Sequence, residues 1–310
     1  PNTVAYGELD GIVIRRFKSL AAPFRNPLVP RFLFPDKRYL KDFDLIHAHM
    51  LYSTAALYAI KIKNILGIPL IVTHHGRMRF KEGFKDVVVD LYEKTFFKSI
   101  LSNADRIIVL SDSDAEFFQS LGQRTKVNVI PNGLDDKDII KFSTDGQLLT
   151  GEINFNNKKI ILYVGRIIPH KGVLTLLNAI LNHSEKFRNF SVKFIFIGDG
   201  NQTRKMKKIV IKNQLSDLIH FTGSISDKQL FQFYKNSYSF VLPSFSEGFP
   251  TTVLEAMYFG VPVIATNIPV MKQYFSDSAI LVPPGDEQAL ANAILTLLDQ
   301  PDKREILSER

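Results

Sequence analysis

Short apolar runs alternate along this chain with longer segments in which apolar residues recur at helical spacing. Runs such as residues 69–73 and 159–164 are bounded by turn residues and are typical of buried strands. Segments such as residues 53–66 and 86–101 carry apolar residues three and four positions apart, as one face of a helix requires. Strands that alternate with helices pair in parallel, so the pattern predicts an α/β protein with helices packed on parallel sheets.

The alternation forms two series, and a segment without periodicity separates them. Residues 136–158 are rich in Asp, Ser, Thr, Gly and Asn, which indicates a linker. We therefore predict two domains, residues 1–150 and residues 151–310. A chain of 310 residues is long enough to give each domain its own core.

The second series contains six predicted strands with intervening helices, which is a complete doubly wound unit. The predicted strands lie at residues 12–14, 45–46, 69–73, 106–110 and 127–130, and then at 159–164, 192–197, 218–221, 239–242, 262–265 and 280–281. The predicted helices lie at residues 53–66, 86–101 and 112–121, and then at 173–181, 203–212, 227–234, 250–260 and 286–298.

The composition is that of a soluble globular protein, with 45% hydrophobic and 23% charged residues. No apolar run reaches the ~18 residues of a membrane span, and the first residues do not resemble a signal peptide. The absence of cysteine excludes disulfides, thiolate nucleophiles and zinc–cysteine sites, and it fits a cytoplasmic protein.

The net charge is +8 and is shared equally, because 21 basic and 17 acidic residues precede residue 151 and 18 and 14 follow. Such a balance suits small polyanions or an anionic membrane surface, and no nucleic-acid-binding motif occurs. Residues 15–41 carry eight Lys or Arg, one acid and interleaved aromatic residues. We favour a solvated loop for this segment over the alternative, a peripheral contact with the anionic inner membrane face.

Residues 243–260, P-S-F-S-E-G-F-P-T-T-V-L-E-A-M-Y-F-G, follow a predicted strand and open a helix. Pro250 fits the start of that helix and Gly260 its end. The free N–H groups of its first turn would lie at the carboxyl edge of the sheet, which favours a phosphate. Two carboxylates, Glu247 and Glu255, flank this anion site. A capping loop with a solvated Glu is one interpretation, and a nucleotide-sugar pocket is the other.

The turn at residues 165–172, G-R-I-I-P-H-K-G, places Arg166 and Lys171 at the same edge, next to a helix start. Open α/β sheets bind ligands there, so we favour a diphosphate site over surface charge. Breaking a sugar–phosphate bond leaves negative charge on the diphosphate, which fixed cations and a helix N-terminus stabilise without a metal. A nearby carboxylate would stabilise positive charge on the anomeric carbon.

Taken together, several motifs resemble those of the GT-B retaining glycosyltransferases, in the glycogen-synthase-like group 1 branch. The resemblance covers residues 44–298, and its most specific feature is the pair of glutamates in the stretch at residues 243–260. The other motifs are G-R-I-I-P-H-K-G, F-I-G-D-G at 196–200, F-T-G-S-I at 221–225, V-I-P-N-G-L-D at 129–135 and V-T-H-H-G at 72–76. The resemblance implies two Rossmann-like domains and a UDP- or GDP-sugar donor. It also implies a glycan, lipid-linked or small-molecule acceptor and retention of configuration.

The resemblance also assigns roles to residues. Glu247 would lie beside the donor sugar, and His75 would be the catalytic histidine of the first domain, with His49 as a further candidate for the cleft. Glu255 would bind the ribose. The remaining donor-binding residues would be Gly165, Arg166, Lys171, Gly223, Ser224, Ile225, Gly248, Phe249, Pro250, Thr251 and Thr252. We expect no cofactor, and we expect His47, His49, His74 and His75 not to form a metal site, because His74 and His75 would point in opposite directions.

The chain departs from the family pattern at both ends. The first strand, glycine-rich turn and long helix of the first domain are missing, as is the final helix that returns to it. We therefore expect an incomplete first domain in a fragment or trimmed protein. Two alternatives to sugar transfer remain: a GT-B sugar-nucleotide epimerase, and a remnant that binds a sugar nucleotide without turnover.

Overall fold

The computed structural model describes residues 6–20, 29–34, 40, 42–49, 54–77, 87, 89, 91, 93–122, 126–143 and 158–309. The chain divides into two compact units, Pro1–Ile130 and Pro131–Arg310. This division precedes the expected domain boundary at residue 150. No helix in the described ranges is both long and apolar enough to cross a membrane.

The first described element is a hairpin of which the periodicity predicts only the second strand. Strand β1 (Tyr6–Leu9) pairs antiparallel with strand β2 (Ile12–Arg15). Asp10 and Gly11 form the turn, with φ of 50° and 77°. An Asp-Gly pair between apolar runs favours this turn, because both of its central residues need positive φ. The signal for the hairpin was therefore present in the sequence.

The first unit contains a parallel four-stranded sheet in sequential order. Helices lie between the strands, as the alternation predicts, and the segment at residues 86–101 includes a π-helical turn at Glu93–Phe97. The strands are β3 (Ile46–His49), β4 (Leu70–Thr73), β5 (Arg106–Val109) and β6 (Val127–Val129). The helices are α1 (Thr54–Leu66), α2 (Lys98–Asn103) and α3 (Asp112–Ser120).

The linker prediction is wrong in its first part. Residues Asp136–Ser143 form helix α4, which belongs to the second unit and packs through Ile139 in its core. The helix has few apolar residues, so a search for periodicity missed it. Residues 144–157, the rest of the predicted linker, lie outside the described residues.

The second unit is a parallel six-stranded sheet in the order β12-β11-β10-β7-β8-β9. In chain order within the unit this is 6-5-4-1-2-3, the doubly wound order, and β7 and β10 are neighbours where the order reverses. The strands are β7 (Lys159–Val164), β8 (Val192–Ile197), β9 (Ile219–Gly223), β10 (Ser239–Leu242), β11 (Val263–Thr266) and β12 (Ala279–Val282).

Helices of the second unit cover both faces of this sheet. Besides α4, three further helices, α6, α10 and α12, were not predicted. The helices are α5 (Val173–Asn182), α6 (Ser184–Asn189), α7 (Thr203–Lys212), α8 (Asp227–Lys235), α9 (Thr251–Tyr258), α10 (Pro269–Phe275), α11 (Glu287–Asp299) and α12 (Pro301–Glu309).

Strand β7 shows why these strands are continuously apolar. Its residues alternate between two hydrophobic cores, with Ile161 and Tyr163 in one and Ile160 and Leu162 in the other. All four are at most 2% exposed. A strand buried on both faces cannot alternate apolar and polar residues, so its unbroken apolar run follows from its central position.

Gly172 allows the loops after β7 and β10 to approach each other. Its φ is 65°, and a Cβ atom there would lie 1.8 Å from the carbonyl oxygen of Pro243. Any side chain at residue 172 would therefore both strain the backbone and collide with the neighbouring loop.

We expect Gly172→Ala to lower the free energy of unfolding by about 2–4 kcal/mol, since left-handed strain and steric overlap add. Gly223→Ala is the matched control, because Gly223 has a φ of 73° but open space around it. The control should lose about 1–2 kcal/mol. Urea unfolding followed by circular dichroism measures both, and equal losses would show that the contact with Pro243 is unimportant.

Candidate functional site

The loops that follow β7 and β10 contact each other at the carboxyl edge of the second unit's sheet. The backbone N–H of Phe245 donates a hydrogen bond of 2.8 Å to the carbonyl of His170. Gly172 packs against Pro243, as described above. Because β7 and β10 flank the point where strand order reverses, these loops border the crevice in which such sheets bind ligands.

An ion pair joins the two loops. Lys171 Nζ lies 2.6 Å from Oε1 and 2.8 Å from Oε2 of Glu247. Ser244 Oγ donates a further hydrogen bond of 2.6 Å to Oε1. The side chains of Lys171 and Glu247 are only 17% and 9% exposed. The structure thus brings together a predicted phosphate-binding cation and the predicted carboxylate beside the sugar.

The backbone around Arg166 is held by a residue that the sequence did not single out. Tyr163, 1% exposed, donates a hydrogen bond of 2.9 Å to the carbonyl of Arg166. Burial raises the pKa of Tyr163, and the charge of Glu247 raises it further. Gly165 has a φ of 150°, and a Cβ there would lie 3.2 Å from the Tyr163 hydroxyl. The Arg166 side chain is exposed and makes no ion pair with any described residue.

Helix α9 begins without a side-chain cap at Pro250, but the N–H groups of Thr251 and Val253 bond to the carbonyls of Phe249 and Pro250 at 3.1 and 3.0 Å. Thr251 and Thr252 occupy that turn and are partly buried. Gly248 precedes them in the loop. The Phe249 ring packs edge-on against Tyr274 at 5.3 Å, so it anchors the loop to α10. The start of α9 at the crevice edge is the predicted phosphate site, and two of its first-turn N–H groups already bond to carbonyls of the preceding loop.

Glu255 lies one turn into α9 and is held by a second buried tyrosine. The hydroxyl of Tyr234 donates a hydrogen bond of 2.8 Å to Glu255 Oε2. The pKa of Glu255 is raised, chiefly by burial. The hydrogen bond from Tyr234 acts in the opposite sense, and the charge of Asp227 raises the pKa further. Sequence patterns could not identify Tyr234, because it belongs to the apolar face of α8.

The predicted base-binding residues follow strand β9. The carbonyl of Gly223 accepts a hydrogen bond of 2.8 Å from the N–H of Gly198, which ties the end of β9 to the end of β8. A Cβ at Gly223 would meet no atom within 4 Å, so its surface is open. Ser224 is exposed, and Ile225 packs partly into the core.

In the first unit, the predicted site residues His49 and His75 lie together at the carboxyl ends of β3 and β4, next to His47. His49 Nδ1 and His75 Nε2 are 2.9 Å apart, and His47 Nε2 lies 2.7 Å from Thr73 Oγ1. Burial, and then the nearby His49, lower the pKa values of both His47 and His75. Within the described ranges, no group of three His, Cys, Asp or Glu residues could hold a metal ion.

His74 behaves differently from its neighbour. It is 1% exposed, whereas His75 faces solvent, so the two side chains do point in opposite directions. The His74 ring packs edge-on against Phe118 at 5.0 Å. Burial lowers the pKa of His74 to about 3, although Glu93 acts in the opposite sense. It is a core residue of the first unit and not part of the exposed histidine group.

Comparison with known proteins identifies the family. Residues 150–310 match the family described as "Glycosyl transferases group 1", and residues 2–138 match "Glycosyltransferase Family 4". The chain belongs to the group 1 glycosyltransferases. An uncharacterized glycosyltransferase of Methanocaldococcus jannaschii is 30% identical over 273 residues, which are 87% of this chain and 69% of that protein.

Two further proteins extend the comparison. An alpha-monoglucosyldiacylglycerol synthase of Streptococcus pneumoniae is 27% identical over 317 residues, which cover 92% of this chain and 69% of the relative. The crystal structure of Anabaena HepE with UDP and glucose superposes with a TM-score of 0.70 at 21% identity, over 87% of this chain and 72% of that one. The chain spans about two thirds of the length of these curated relatives.

The predicted fold class and enzyme class are thereby confirmed. This group 1 glycosyltransferase has the GT-B fold, with parallel sheets in two α/β units, and it is an enzyme of the hexosyltransferase type. The roles of the individual site residues remain predictions.

The buried His74 should make the first unit sensitive to acid. The unfolded chain binds a proton at this residue below pH 6.5, whereas the folded unit does so only near pH 3. Stability should therefore fall by about 1.4 kcal/mol per pH unit from this residue, or about 2 kcal/mol between pH 6.5 and pH 5.

Urea unfolding at pH 7 and pH 5 measures this effect in the wild type and in His74→Gln. The variant, which cannot take up the proton, should lose about 2 kcal/mol less on acidification. His183→Gln in the second unit is the control. An unchanged pH dependence in His74→Gln would contradict the assignment.

Proposed function

We propose that this glycosyltransferase moves a hexose from a nucleotide-diphosphate sugar to an acceptor with retention of configuration and without a metal ion. The ion pair between Lys171 and Glu247, at the point where strand order reverses, carries the proposal. It sets a cation for the diphosphate next to a carboxylate for the sugar, and both are largely shielded from water. Because water is largely excluded, the electrostatic interaction of each of these charges with a ligand is stronger than it would be in solvent.

In the proposed reaction, the bond between the anomeric carbon and the diphosphate oxygen breaks while the acceptor oxygen bonds to that carbon. The acceptor proton leaves with the diphosphate. Lys171, Arg166 and the amide end of α9 stabilise the negative charge that develops on the diphosphate. Glu247 faces the positive charge that develops on the anomeric carbon. His75, hydrogen-bonded to His49, is the proposed catalytic histidine of the first unit.

The donor is proposed to be a UDP- or GDP-sugar, with Glu255 on the ribose hydroxyls and Gly223, Ser224 and Ile225 along the base. HepE, a structural neighbour, was crystallised with UDP and glucose, which favours a UDP-sugar over a GDP-sugar as the donor. The half-buried carboxylate of Glu255 suits a ribose, because a diol can donate two hydrogen bonds to one carboxylate.

The acceptor is proposed to be a glycan or a lipid-linked molecule, reached from the membrane surface through residues 15–41. The named activity of the Streptococcus relative concerns a diacylglycerol glycolipid. Within the described part of residues 15–41, Leu20 and Phe34 are 81% and 70% exposed, and Arg15, Arg16 and Lys18 are exposed as well. Exposed apolar side chains beside cations fit an anionic bilayer surface.

Co-sedimentation with vesicles tests this contact. The chain should bind vesicles rich in phosphatidylglycerol and not pure phosphatidylcholine, since each cation near the surface contributes about 1 kcal/mol. Replacing Arg15, Arg16 and Lys18 by alanine should reduce binding far more than replacing Arg204, Lys205 and Lys208 on α7. Equal loss in both triple variants would place the contact elsewhere.

Transfer should depend on the ion pair. Lys171→Ala and Glu247→Gln should each lower kcat/KM by at least about a hundredfold, because each removes a charge that acts on the transition state. Lys205→Ala, at an exposed position of α7, should retain activity. The donor is found first by thermal shift with UDP- and GDP-sugars, and transfer is then measured with that donor.

The same assay separates the alternatives. Proton NMR of the first product shows whether the anomeric configuration is retained, and activity in EDTA tests metal independence. Interconversion of free sugar nucleotides without an acceptor would support an epimerase. Nucleotide binding with neither hydrolysis nor transfer would support a binding remnant, and full activity of Lys171→Ala would refute the proposed site.

A further inference from the structure

Tyr234 is buried in the core of the second unit, yet its hydroxyl meets a group at the site. Its relative exposure is 0%, and its ring lies 5.8 Å from that of Phe240 and stacks at 6.0 Å on that of Phe259. The hydroxyl reaches Glu255 Oε2 at 2.8 Å and the carbonyl of Thr252 at 3.3 Å. A ring packed on two sides has one accessible orientation, so the position of its hydroxyl is fixed.

This contact makes the two carboxylate oxygens of Glu255 different. Oε2 is held by Tyr234, whereas Oε1 has no hydrogen-bond partner among the described residues. A glutamate side chain has three rotatable bonds, and fixing one oxygen removes most of that freedom before a ligand arrives. The free oxygen then points in a defined direction, as preorganised binding requires.

We propose that Tyr234 is a positioning residue, which orients Glu255 so that its free oxygen accepts hydrogen bonds from the ribose hydroxyls of the donor nucleotide. The inference rests on the proposed function, which assigns Glu255 to the ribose. Tyr234 touches neither donor nor acceptor in this scheme and acts through Glu255 alone.

A purely structural role for Tyr234 is the competing explanation. The aromatic ring fills space between α8, β10 and α9, and a phenylalanine would fill almost the same space. Only the hydroxyl is involved in positioning, so Tyr234→Phe separates the two roles. Tyr238→Phe is the matched control, because the Tyr238 hydroxyl bonds to the carbonyl of Leu297, away from Glu255.

Isothermal titration with UDP and with 2′,3′-dideoxy-UDP provides the readout. Tyr234→Phe should weaken UDP binding about tenfold and leave dideoxy-UDP binding unchanged, since that probe lacks the hydroxyls that Glu255 would hold. Glu255→Gln should weaken UDP binding at least as much. In the double variant, the loss should equal that of Glu255→Gln alone, because Tyr234 acts through that carboxylate. Tyr238→Phe should bind UDP like the wild type.

The pH profile of UDP binding gives a second test. The titratable groups that face Glu255 are Tyr234 and Asp227. Without the donated hydrogen bond, the carboxylate takes up a proton at higher pH, so the acid limb of binding should move to higher pH in Tyr234→Phe. With donor at saturation, kcat should change less than twofold while KM rises.

The outcomes distinguish the assignment of Glu255 to the ribose from the positioning role of Tyr234. Unchanged UDP affinity in Glu255→Gln would overturn the ribose assignment itself. A loss in Glu255→Gln with none in Tyr234→Phe would overturn the positioning role only. Losses that multiply in the double variant, or equal weakening of UDP and dideoxy-UDP in Tyr234→Phe, would show that Tyr234 acts through the fold and would also overturn it.

Discussion

The contact between Lys171 and Glu247 depends on how closely two backbone loops approach each other. The reversal of strand order makes β7 and β10 neighbours, and Gly172 lets the backbone of one loop touch the other. Only then can an ammonium and a carboxylate meet at 2.6 Å with little solvent between them. At this distance and an effective dielectric near 20, the attraction is of order 6 kcal/mol, enough to offset much of the cost of removing both charges from water.

In the second unit, residues of the core hold the site groups in place, and residues of the loops carry the charges. Tyr163 and Tyr234 are both buried, and each presents its hydroxyl to a group at the crevice edge: the carbonyl of Arg166 and the carboxylate of Glu255. The ring of a tyrosine can pack tightly in the core while its hydroxyl forms a hydrogen bond, so the packed ring fixes the position of the group that the hydroxyl contacts. The charged side chains of Lys171 and Glu247 lie in the loops, where they pair with each other and are 17% and 9% exposed.

Much of this fold follows from the sequence because central parallel strands must be apolar on both faces. The bounds of β7, β8 and β10 agree with the apolar runs, and the position of the site follows from the rule for doubly wound sheets. Helix α4 was missed because its main apolar residues are the adjacent pair Ile139 and Ile140, and charged residues flank that pair. The roles of Tyr163 and Tyr234 could not be predicted, since an apolar pattern does not reveal where a buried hydroxyl points.

The two neighbouring histidines of the first unit show the same limit at a smaller scale. Sequence alternation predicts that His74 and His75 face opposite ways, and they do. It cannot predict that the buried one is packed so tightly that its pKa falls to about 3, because that depends on Phe118 and other residues distant in sequence. Nor can it predict that His75 meets His49, since the register of β3 against β4 decides which side chains are neighbours. Direction is a local property of the chain, whereas protonation and pairing are properties of the folded unit.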